Sequence, residues 1–361
     1  MNNIYLNSLK ILQILNQNKF EAYIVGGYPR DLYLKKTCTD IDICTNATYD
    51  DLIKIFDEVK NNNYGSYKLK YNNYEYEITT YRKETKYINN RFPKIKYVKK
   101  LKQDIKRRDF IINTLCINKD GKYVDLINAK KDLDNKIIRL VGTKKSLEQD
   151  ALRILRAIRF ATVLDFKIDK KLEKSINKYK HLLSNISNDR KKQELNKIFE
   201  SKNISYGIEL IKKFDLEKYL FINLNNLNKT KNVNAIWAQI IIDESYNFSK
   251  QEKKEISLFK KLLNKKFELY DLYKYGPKIL ITVNEIKKEN ININQEYENL
   301  IIKDREDIDI NFFEISEILK TNHNNINEIY EDLEKKIIYK KIKNKENSIK
   351  KYIQKKYKHT L

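Results

Sequence analysis

The chain has 361 residues and is strongly basic, since 73 lysines and arginines stand against 49 acidic residues and give a formal net charge of +24. No apolar run reaches the roughly 18 residues of a membrane span, and the start of the chain lacks a signal-peptide pattern. The three cysteines form no C-x-x-C pair, which argues against a zinc ribbon or a disulfide framework and favours a reducing cytoplasm. The charge favours a polyanionic partner, although the lysine bias of an AT-rich genome would produce part of it.

The first elements predict a phosphate-binding turn. Residues 4–16 carry leucines and isoleucines at helical spacing and predict a helix that packs before the first strand. Residues 23–25 form an apolar strand that ends at Gly26 and Gly27. Glycines allow the backbone to approach a ligand closely, and the free N–H groups of a following helix suit phosphate oxygens. A purely structural turn is the alternative for the glycine pair alone.

Two aspartates follow in a pattern typical of a metal site. Asp40 and Asp42 alternate with Ile41 and Ile43, so on a strand both carboxylates share one face while the isoleucines point into the core. Neighbouring carboxylates repel unless a cation neutralises them, and Mg²⁺ bound by one or two carboxylates and substrate phosphates does so most often. With the glycine turn, the pair predicts phosphoryl or nucleotidyl transfer. A solvated strand edge is the alternative for the aspartates alone.

The stretch GGYPRD followed by TDIDICT resembles the first signature of the DNA polymerase β-like nucleotidyltransferase superfamily. More narrowly, it resembles the class II tRNA nucleotidyltransferases, the CCA-adding enzymes, and their poly(A) polymerase relatives. The resemblance implies an α+β catalytic head with a mixed sheet, followed by an all-α region of neck, body and tail. We expect the head over 1–143, the neck over 144–203, the body over 204–275 and a basic tail over 276–361.

A hairpin is predicted next. Residues 66–71 and 74–81 have strand patterns on either side of the turn dipeptide Asn72-Asn73. Glu77 on the second strand is either a third acid beside the two aspartates or part of an exposed strand face.

A long basic segment and a last strand complete the predicted head. Residues 83–103 are polar with little periodicity, and a long loop inside a compact domain is often a functional lid. The resembled family has a flexible loop here that is needed for the final A, and its full length in this chain favours complete CCA synthesis. Residues 137–142 predict the last strand, and the pattern beyond them is almost wholly helical.

Residues 106–118 resemble the second signature of the same family. Arg107, Arg108 and Asp109 lie together before an apolar run, and arginine forks suit phosphate oxygens. The resemblance implies a phosphate contact at Arg108 and ribose recognition at Asp109, together with Asn113. The alternative is a basic helix cap paired with its own acid.

Residues 148–166 predict one amphipathic helix on which Asp150 and Arg153 are surface neighbours. An acid that accepts from an exocyclic amine and an arginine that donates to a ring nitrogen would select cytosine and adenine and reject uracil and guanine. A surface ion pair of little energetic value is the alternative. The resemblance implies base recognition by Asp150 and Arg153 and triphosphate contacts by Arg156 and Arg159.

The remaining sequence predicts amphipathic helices. Residues 186–201 resemble the family's fifth signature and are expected to close the neck. From Lys335 onward Glu346 is the only acid, which predicts a helical tail whose basic face contacts the tRNA backbone, or else a merely solvated charged helix.

Together these patterns predict a cytoplasmic, template-independent tRNA nucleotidyltransferase that adds C, C and A to tRNA 3′ ends from CTP and ATP and releases pyrophosphate. Asp40 and Asp42 would hold two Mg²⁺ ions. The alternatives are an A-adding enzyme, a bacterial poly(A) polymerase, and a tRNA-binding protein on a decayed transferase head. Triphosphate contacts are expected from Gly26, Gly27, Arg30, Arg108, Arg156 and Arg159.

Overall fold

The structure, a computed structural model, describes residues 3–62, 65–88, 92–242, 246–319 and 326–357. The chain forms two compact units. The first comprises Met1–Asn223 and Ile242–Asn247, and the second comprises Leu224–Ile241 and Phe248–Leu361. Strands and helices mix in the first unit and helices dominate the second, which confirms the predicted α+β head and helical remainder. The predicted head and neck lie within one unit, so the division into four domains stays a prediction.

The described part of the chain has nine strands before residue 125. They are β1 (Ala22–Val25), β2 (Asp42–Thr45), β3 (Val59–Asn61), β4 (Ser66–Tyr71), β5 (Tyr74–Thr80), β6 (Arg82–Ile88), β7 (Phe92–Tyr97), β8 (Cys116–Ile117) and β9 (Tyr123–Val124). A seven-stranded sheet among the described residues has the order β3-β4-β5-β2-β1-β8-β9, with β2 and β5 parallel. In the antiparallel pair of the central strands β1 and β2, Val25 lies directly opposite Asp42. The glycine turn after β1 and the aspartates at the start of β2 therefore lie at the same end of these two strands.

Helices cover this sheet and continue into the neck region. They are α1 (Asn3–Gln17), α2 (Gly27–Tyr33), α3 (Tyr49–Ile55), α4 (Leu101–Ile105), α5 (Ala129–Asp134), α6 (Lys145–Gln149), α7 (Leu152–Leu164), α8 (Lys170–Tyr179), α9 (Asn188–Phe199), α10 (Ile204–Lys213) and α11 (Glu217–Leu220). The helix predicted over 4–16 is confirmed by α1. Its Leu12 and Leu15 are fully buried in one core with Ile24 and Ile43 of the central strands, and this burial fixes the sheet that carries the site.

The predicted hairpin is confirmed, because β4 and β5 pair antiparallel from Ser66 opposite Thr79 to Tyr71 opposite Tyr74. Asn72 and Asn73 have φ values of 49° and 66°, as the tight turn between twisted strands requires.

The segment 83–103 was predicted as a loop, and that prediction is wrong over most of its length. β6 and β7 pair antiparallel from Arg82 opposite Tyr97 to Ile88 opposite Phe92. β6 is mostly polar, and the alternation in β7 covers only Lys94, Ile95, Lys96 and Tyr97, so the sequence gives a weak strand pattern. Residues 89–91, where the predicted lid would turn, lie outside the described residues.

The predicted last strand 137–142 is also corrected. Only β10 (Ile137–Ile138) is a strand, and it pairs parallel with β11 (Lys167–Ile168), outside the main sheet. The residues after β10 instead run beside the second signature, since the amide of Ile111 donates to Arg139 at 2.9 Å and that of Val141 donates to Asp109 at 2.9 Å. This segment thus anchors the backbone of the predicted ribose site.

The rest of the chain is mainly helical. Its elements are β12 (Ile222–Asn223), α12 (Val233–Gln239), β13 (Ile241–Ile242), α13 (Lys250–Leu263), α14 (Leu269–Lys287), α15 (Ile293–Glu298), α16 (Phe312–Leu319), α17 (Ile326–Ile338) and α18 (Glu346–Tyr357). The helix α14 is kinked at Gly276, whose φ is 77°. In the predicted tail, Ile337 and Ile349 are fully buried in one core. Among the described residues no helix combines the length and the apolarity that crossing a membrane requires.

Candidate active site

The predicted phosphate-binding turn joins β1 to α2. Gly26 has a φ of 79°, a conformation that residues with side chains rarely adopt. A Cβ atom added at Gly26 would lie 2.8 Å from Oδ2 of Asp42, whereas one added at Gly27 would meet no atom closer than 3.5 Å. Gly26 is therefore required both by its backbone angle and by the carboxylate against it.

The two aspartates lie on the same side of the chain. Asp40 and Asp42 are exposed, while Ile41 is 4% exposed and Ile43 is fully buried. This alternation agrees with the prediction, except that β2 begins at Asp42 and Asp40 lies just before it. The pair thus presents two carboxylates beside the glycine turn.

The surroundings of Asp42 disfavour its ionised form. Although Asp42 reaches solvent, the protein atoms crowded around it strip water from the carboxylate. This desolvation, with the charges of Glu77 and Asp40, raises the pKa of Asp42 to about 6, and Arg108 acts in the opposite direction. A bound cation would remove the repulsion and restore the ionised form.

Glu77 lies directly beside Asp42, because the two residues are partners in the parallel pair of β2 and β5. Its carboxylate accepts a hydrogen bond of 2.6 Å from Ser66 Oγ. Within the described residues, no group of three or more His, Cys, Asp and Glu side chains is arranged to hold a metal ion. Asp40 and Asp42 stay the predicted ligands, and a pair of aspartates suits a hard divalent cation that takes its other ligands from water and phosphate. Glu77 as a third ligand stays a prediction.

Asp104, a buried acid that was not predicted as a site residue, holds the two arginines of the second signature. Asp104 is fully buried and accepts from Arg107 at 2.7 Å and from Arg108 at 3.2 Å. The backbone amide of Arg82 donates to the same carboxylate at 3.2 Å. Arg108 lies near enough to lower the pKa of Asp42, so Asp104 fixes a cation beside the acid pair. Its spacing four residues before Arg108 was the available signal.

The predicted ribose residues form a chain of hydrogen bonds. Asp109 Oδ1 accepts from Asn113 Nδ2 at 3.0 Å and from the amide of Phe110 at 2.8 Å. Asn113 Oδ1 in turn accepts from Arg30 Nη1 at 2.7 Å. Arg30 is 8% exposed and also donates two hydrogen bonds of 2.8 Å to the Asp31 carboxylate. The first and second signatures are thus linked through Arg30, which donates hydrogen bonds to protein acceptors through Nε, Nη1 and Nη2.

The predicted continuous helix over 148–166 is wrong at its start. α6 ends at Gln149, Asp150 has extended angles of −143° and 95°, and α7 begins at Leu152. Asp150 and Arg153 are therefore not neighbours along one helix. Asp150 lies 3.4 Å from Arg190 Nη2, and Arg153 donates to the carbonyl of Arg107 at 2.8 Å. The predicted base-reading residues are thus each held by another element.

Arg156 and Arg159 project from α7 toward acids. Arg156 donates to Asp109 Oδ2 through Nε at 2.8 Å and Nη2 at 2.5 Å. Arg159 Nε lies 2.8 Å from Glu194 Oε2, and burial lowers the pKa of Arg159. Burial alone would raise the pKa of Asp109, but the charge of Arg156 and the hydrogen bonds hold it below its ordinary value.

Phe160 and Glu194 were not predicted as site residues. The Phe160 ring lies under three guanidinium groups, at 4.1 Å from Arg159, 5.2 Å from Arg30 and 5.6 Å from Arg156. Glu194 is 5% exposed. Phe160 directly precedes Ala161 in the apolar pattern of the helix, so sequence alone presented it as core.

An open cleft of about 310 Å³ lies beside these arginines. Its lining residues are Arg30, Arg159, Phe160, Val163, Lys197, Glu200 and Ser201. Cations outnumber acids on this wall, so an anionic ligand is favoured over a cationic one.

The structure brings the predicted site residues into two neighbouring groups. The first group consists of Gly26, Gly27, Asp40, Asp42, Glu77 and Arg108. The second group consists of Arg30, Asp109, Asn113, Arg156 and Arg159. Arg153 is joined to the second signature through the Arg107 carbonyl, whereas Asp150 is joined to α9 through Arg190.

Three family descriptions match successive parts of the chain. "Poly A polymerase head domain" matches residues 22–139, "RNA and SrmB-binding site of polymerase A" matches 165–227, and "tRNA nucleotidyltransferase domain 2" matches 242–353. Fold and site together therefore define a nucleotidyltransferase with a poly(A) polymerase type of head.

Curated relatives narrow this class. A CCA-adding enzyme of Listeria monocytogenes is 30% identical over 345 residues, which cover 86% of this chain and 88% of the relative. One from Bacillus subtilis is 28% identical over 347 residues, covering 86% and 87%. The chain belongs to the family of CCA-adding enzymes.

Solved structures show the same fold. The CCA-adding enzyme of Bacillus stearothermophilus in complex with CTP has a TM-score of 0.82 at 21% identity and covers 98% of both chains. The Thermotoga maritima enzyme complexed with tRNA has a TM-score of 0.69 at 21% identity, covering 98% of this chain and 96% of that one.

Proposed function

We propose that this protein is a template-independent tRNA nucleotidyltransferase that adds C, C and A to the 3′ end of tRNA from CTP and ATP and releases pyrophosphate. The observation that carries the proposal is an intact acid pair, Asp40 and Asp42, beside the Gly26 turn in a chain matched over 86% of its length by CCA-adding enzymes. Relatives solved with CTP and with tRNA support the same substrates here.

Mg²⁺ is the proposed cofactor, with Asp40 and Asp42 as its protein ligands. When bound, it would lower the pKa of the primer 3′-hydroxyl and balance charge on the triphosphate. The raised pKa of Asp42 supports this assignment, because a cation would stabilise the ionised form of a carboxylate that is desolvated and lies near Glu77 and Asp40. Glu77, on the neighbouring strand, is proposed as a third acidic ligand.

The remaining residues are assigned by the charge that each presents. The backbone at Gly26 and Gly27 gives the triphosphate room to approach, and the surrounding cations are Arg30, Arg108, Arg156 and Arg159. Asp109 with Asn113 is assigned to the ribose. Asp150 and Arg153 are assigned to the pairing edge of the incoming base, where a mismatched base would leave polar groups unpaired at about 1–3 kcal/mol each.

The basic tail over 276–361 is assigned to the tRNA backbone, and the protein is assigned to the cytoplasm. The division into head, neck, body and tail, with boundaries after residues 143, 203 and 275, is part of the same proposal.

The test uses purified protein, Mg²⁺ and tRNA ending at the discriminator base, with CTP and ATP given separately and together. We expect two C residues with CTP alone and a complete CCA end with both. Addition of A only to tRNA that already ends in CC would identify an A-adding enzyme, and long A tracts would identify a poly(A) polymerase.

A variant separates catalysis from mere tRNA binding. Asp42→Ala should abolish incorporation of CTP and ATP while tRNA binding remains, and the exposed Asp57→Ala is the control. Full activity of Asp42→Ala would overturn the proposal. Retained tRNA binding without any incorporation by the wild-type protein would favour the decayed transferase head.

A further inference from the structure

The carboxylate of Asp109 has no acceptor site left for a ligand. Its Oδ1 takes hydrogen bonds from the Phe110 amide and from Asn113, and its Oδ2 takes two from Arg156. A carboxylate offers about four lone-pair sites. All four are filled by protein donors.

The proposed ribose assignment therefore conflicts with the present contact. Asp109 needs a free oxygen to accept from a ribose hydroxyl, and Arg156 commits two of its five N–H groups to that carboxylate. The present contact leaves Asp109 without capacity for the ribose and keeps these two donors from the triphosphate.

Of the two oxygens, Oδ2 is the one whose contacts are easier to release. Oδ1 is held by a backbone amide and by Asn113, which Arg30 fixes from the other side at 2.7 Å. The Arg156 side chain is 35% exposed, against 11% for Asp109, so it can swing without opening the core. Glu194 Oε1 lies 3.8 Å from Arg156 Nη1, so a second carboxylate stands beside the guanidinium.

We propose that Arg156 changes partner when a nucleotide binds: its guanidinium leaves Asp109 Oδ2 for the triphosphate, and the vacated oxygen accepts from the 2′-hydroxyl. Discrimination between ribose and deoxyribose then depends on the presence of the phosphates. The inference rests on the proposed function and makes Arg156 a residue that controls sugar selection through Asp109.

The test measures equilibrium binding of CTP, dCTP, CMP and dCMP without tRNA, by competition against labelled CTP at constant ionic strength. In the wild-type protein we expect CTP to bind about tenfold or more tightly than dCTP, as one hydrogen bond to a charged group provides. CMP and dCMP should bind about equally, because Arg156 still covers Asp109.

The variant Arg156→Gln should reverse the second result. With Oδ2 open, CMP should bind about tenfold more tightly than dCMP, while CTP loses affinity. The control is Lys265→Gln, since Lys265 forms an ion pair with the buried Asp271 at 2.7 Å in the second unit. It should behave like the wild-type protein.

The wild-type protein alone can overturn the inference, whatever the stability of the variant. Equal sugar preference for the monophosphate and the triphosphate would mean that Arg156 does not move. Loss of sugar preference in both pairs in folded Arg156→Gln would mean that Arg156 orients Asp109 rather than covering it. Failure to bind CTP at all would instead remove the proposed function on which the inference rests.

Discussion

The desolvation of the Asp42 carboxylate, together with the charges of Glu77 and Asp40, has a measurable thermodynamic consequence. Its pKa is raised from 3.8 to about 6, so the folded protein holds a proton that the unfolded chain releases. Stability from this group is therefore present below pH 3.8 and lost as the pH rises through about 6. The full shift corresponds to about 3 kcal/mol, and solvent screening of an exposed carboxylate reduces the expected value to about 1 kcal/mol.

Asp42→Asn should recover this stability because the neutral amide carries no charge to desolvate and does not repel Glu77 or Asp40. In EDTA at pH 7.5 we expect the variant to melt higher by on the order of 1–2 °C, and the gain should shrink as the pH falls from 6 toward 3.8. Differential scanning fluorimetry over a pH series measures this, with Asp57→Asn as the control. A variant that is less stable at pH 7.5, or whose gain persists unchanged at pH 4, would refute the reasoning. Addition of Mg²⁺ should stabilise only the wild-type protein.

Three further changes test the neighbouring contacts. Gly26→Ala should reduce CTP incorporation about a hundredfold, since the new Cβ displaces the acid pair; Gly142→Ala has a similar φ of 75° in open space and should leave incorporation intact. Asp150→Ala should reduce the preference for CTP over UTP about tenfold or more in single-turnover assays, and an unchanged preference would contradict base reading by this residue. Asp104→Asn should lower the free energy of unfolding in urea by about 3 kcal/mol, because two arginines lose their buried partner; Glu75→Gln, in an exposed pair, should change it little.

The parts of the site that sequence predicted depend on short-range patterns. The alternation of Asp40, Ile41, Asp42 and Ile43 fixes which side chains face solvent, because the period of a strand is two residues. The turn at Asn72-Asn73 is equally local. Such features need no knowledge of what packs against them.

The parts that sequence missed depend on tertiary contacts or on breaks in a periodic pattern. Leu147, Ala151 and Leu155 are spaced four residues apart across the interruption at Asp150, so periodicity could not reveal that the helix ends there. Glu194 meets Arg159 from a separate helix 35 residues away in sequence. No local signal marks such a pair.

The contacts around the site explain why a strongly basic chain need not bind anions indiscriminately. Its net charge is +24, yet three arginines of the candidate site are held by carboxylates. Asp31 holds Arg30, Asp109 holds Arg156 and Glu194 holds Arg159. A phosphate must displace these carboxylates, and a cation must overcome the desolvation of Asp42. A nucleotide carrying its own divalent cation satisfies both demands together, so each component should strengthen binding of the other by the same factor. The local pairing of charges thus favours the complete substrate over either ion alone.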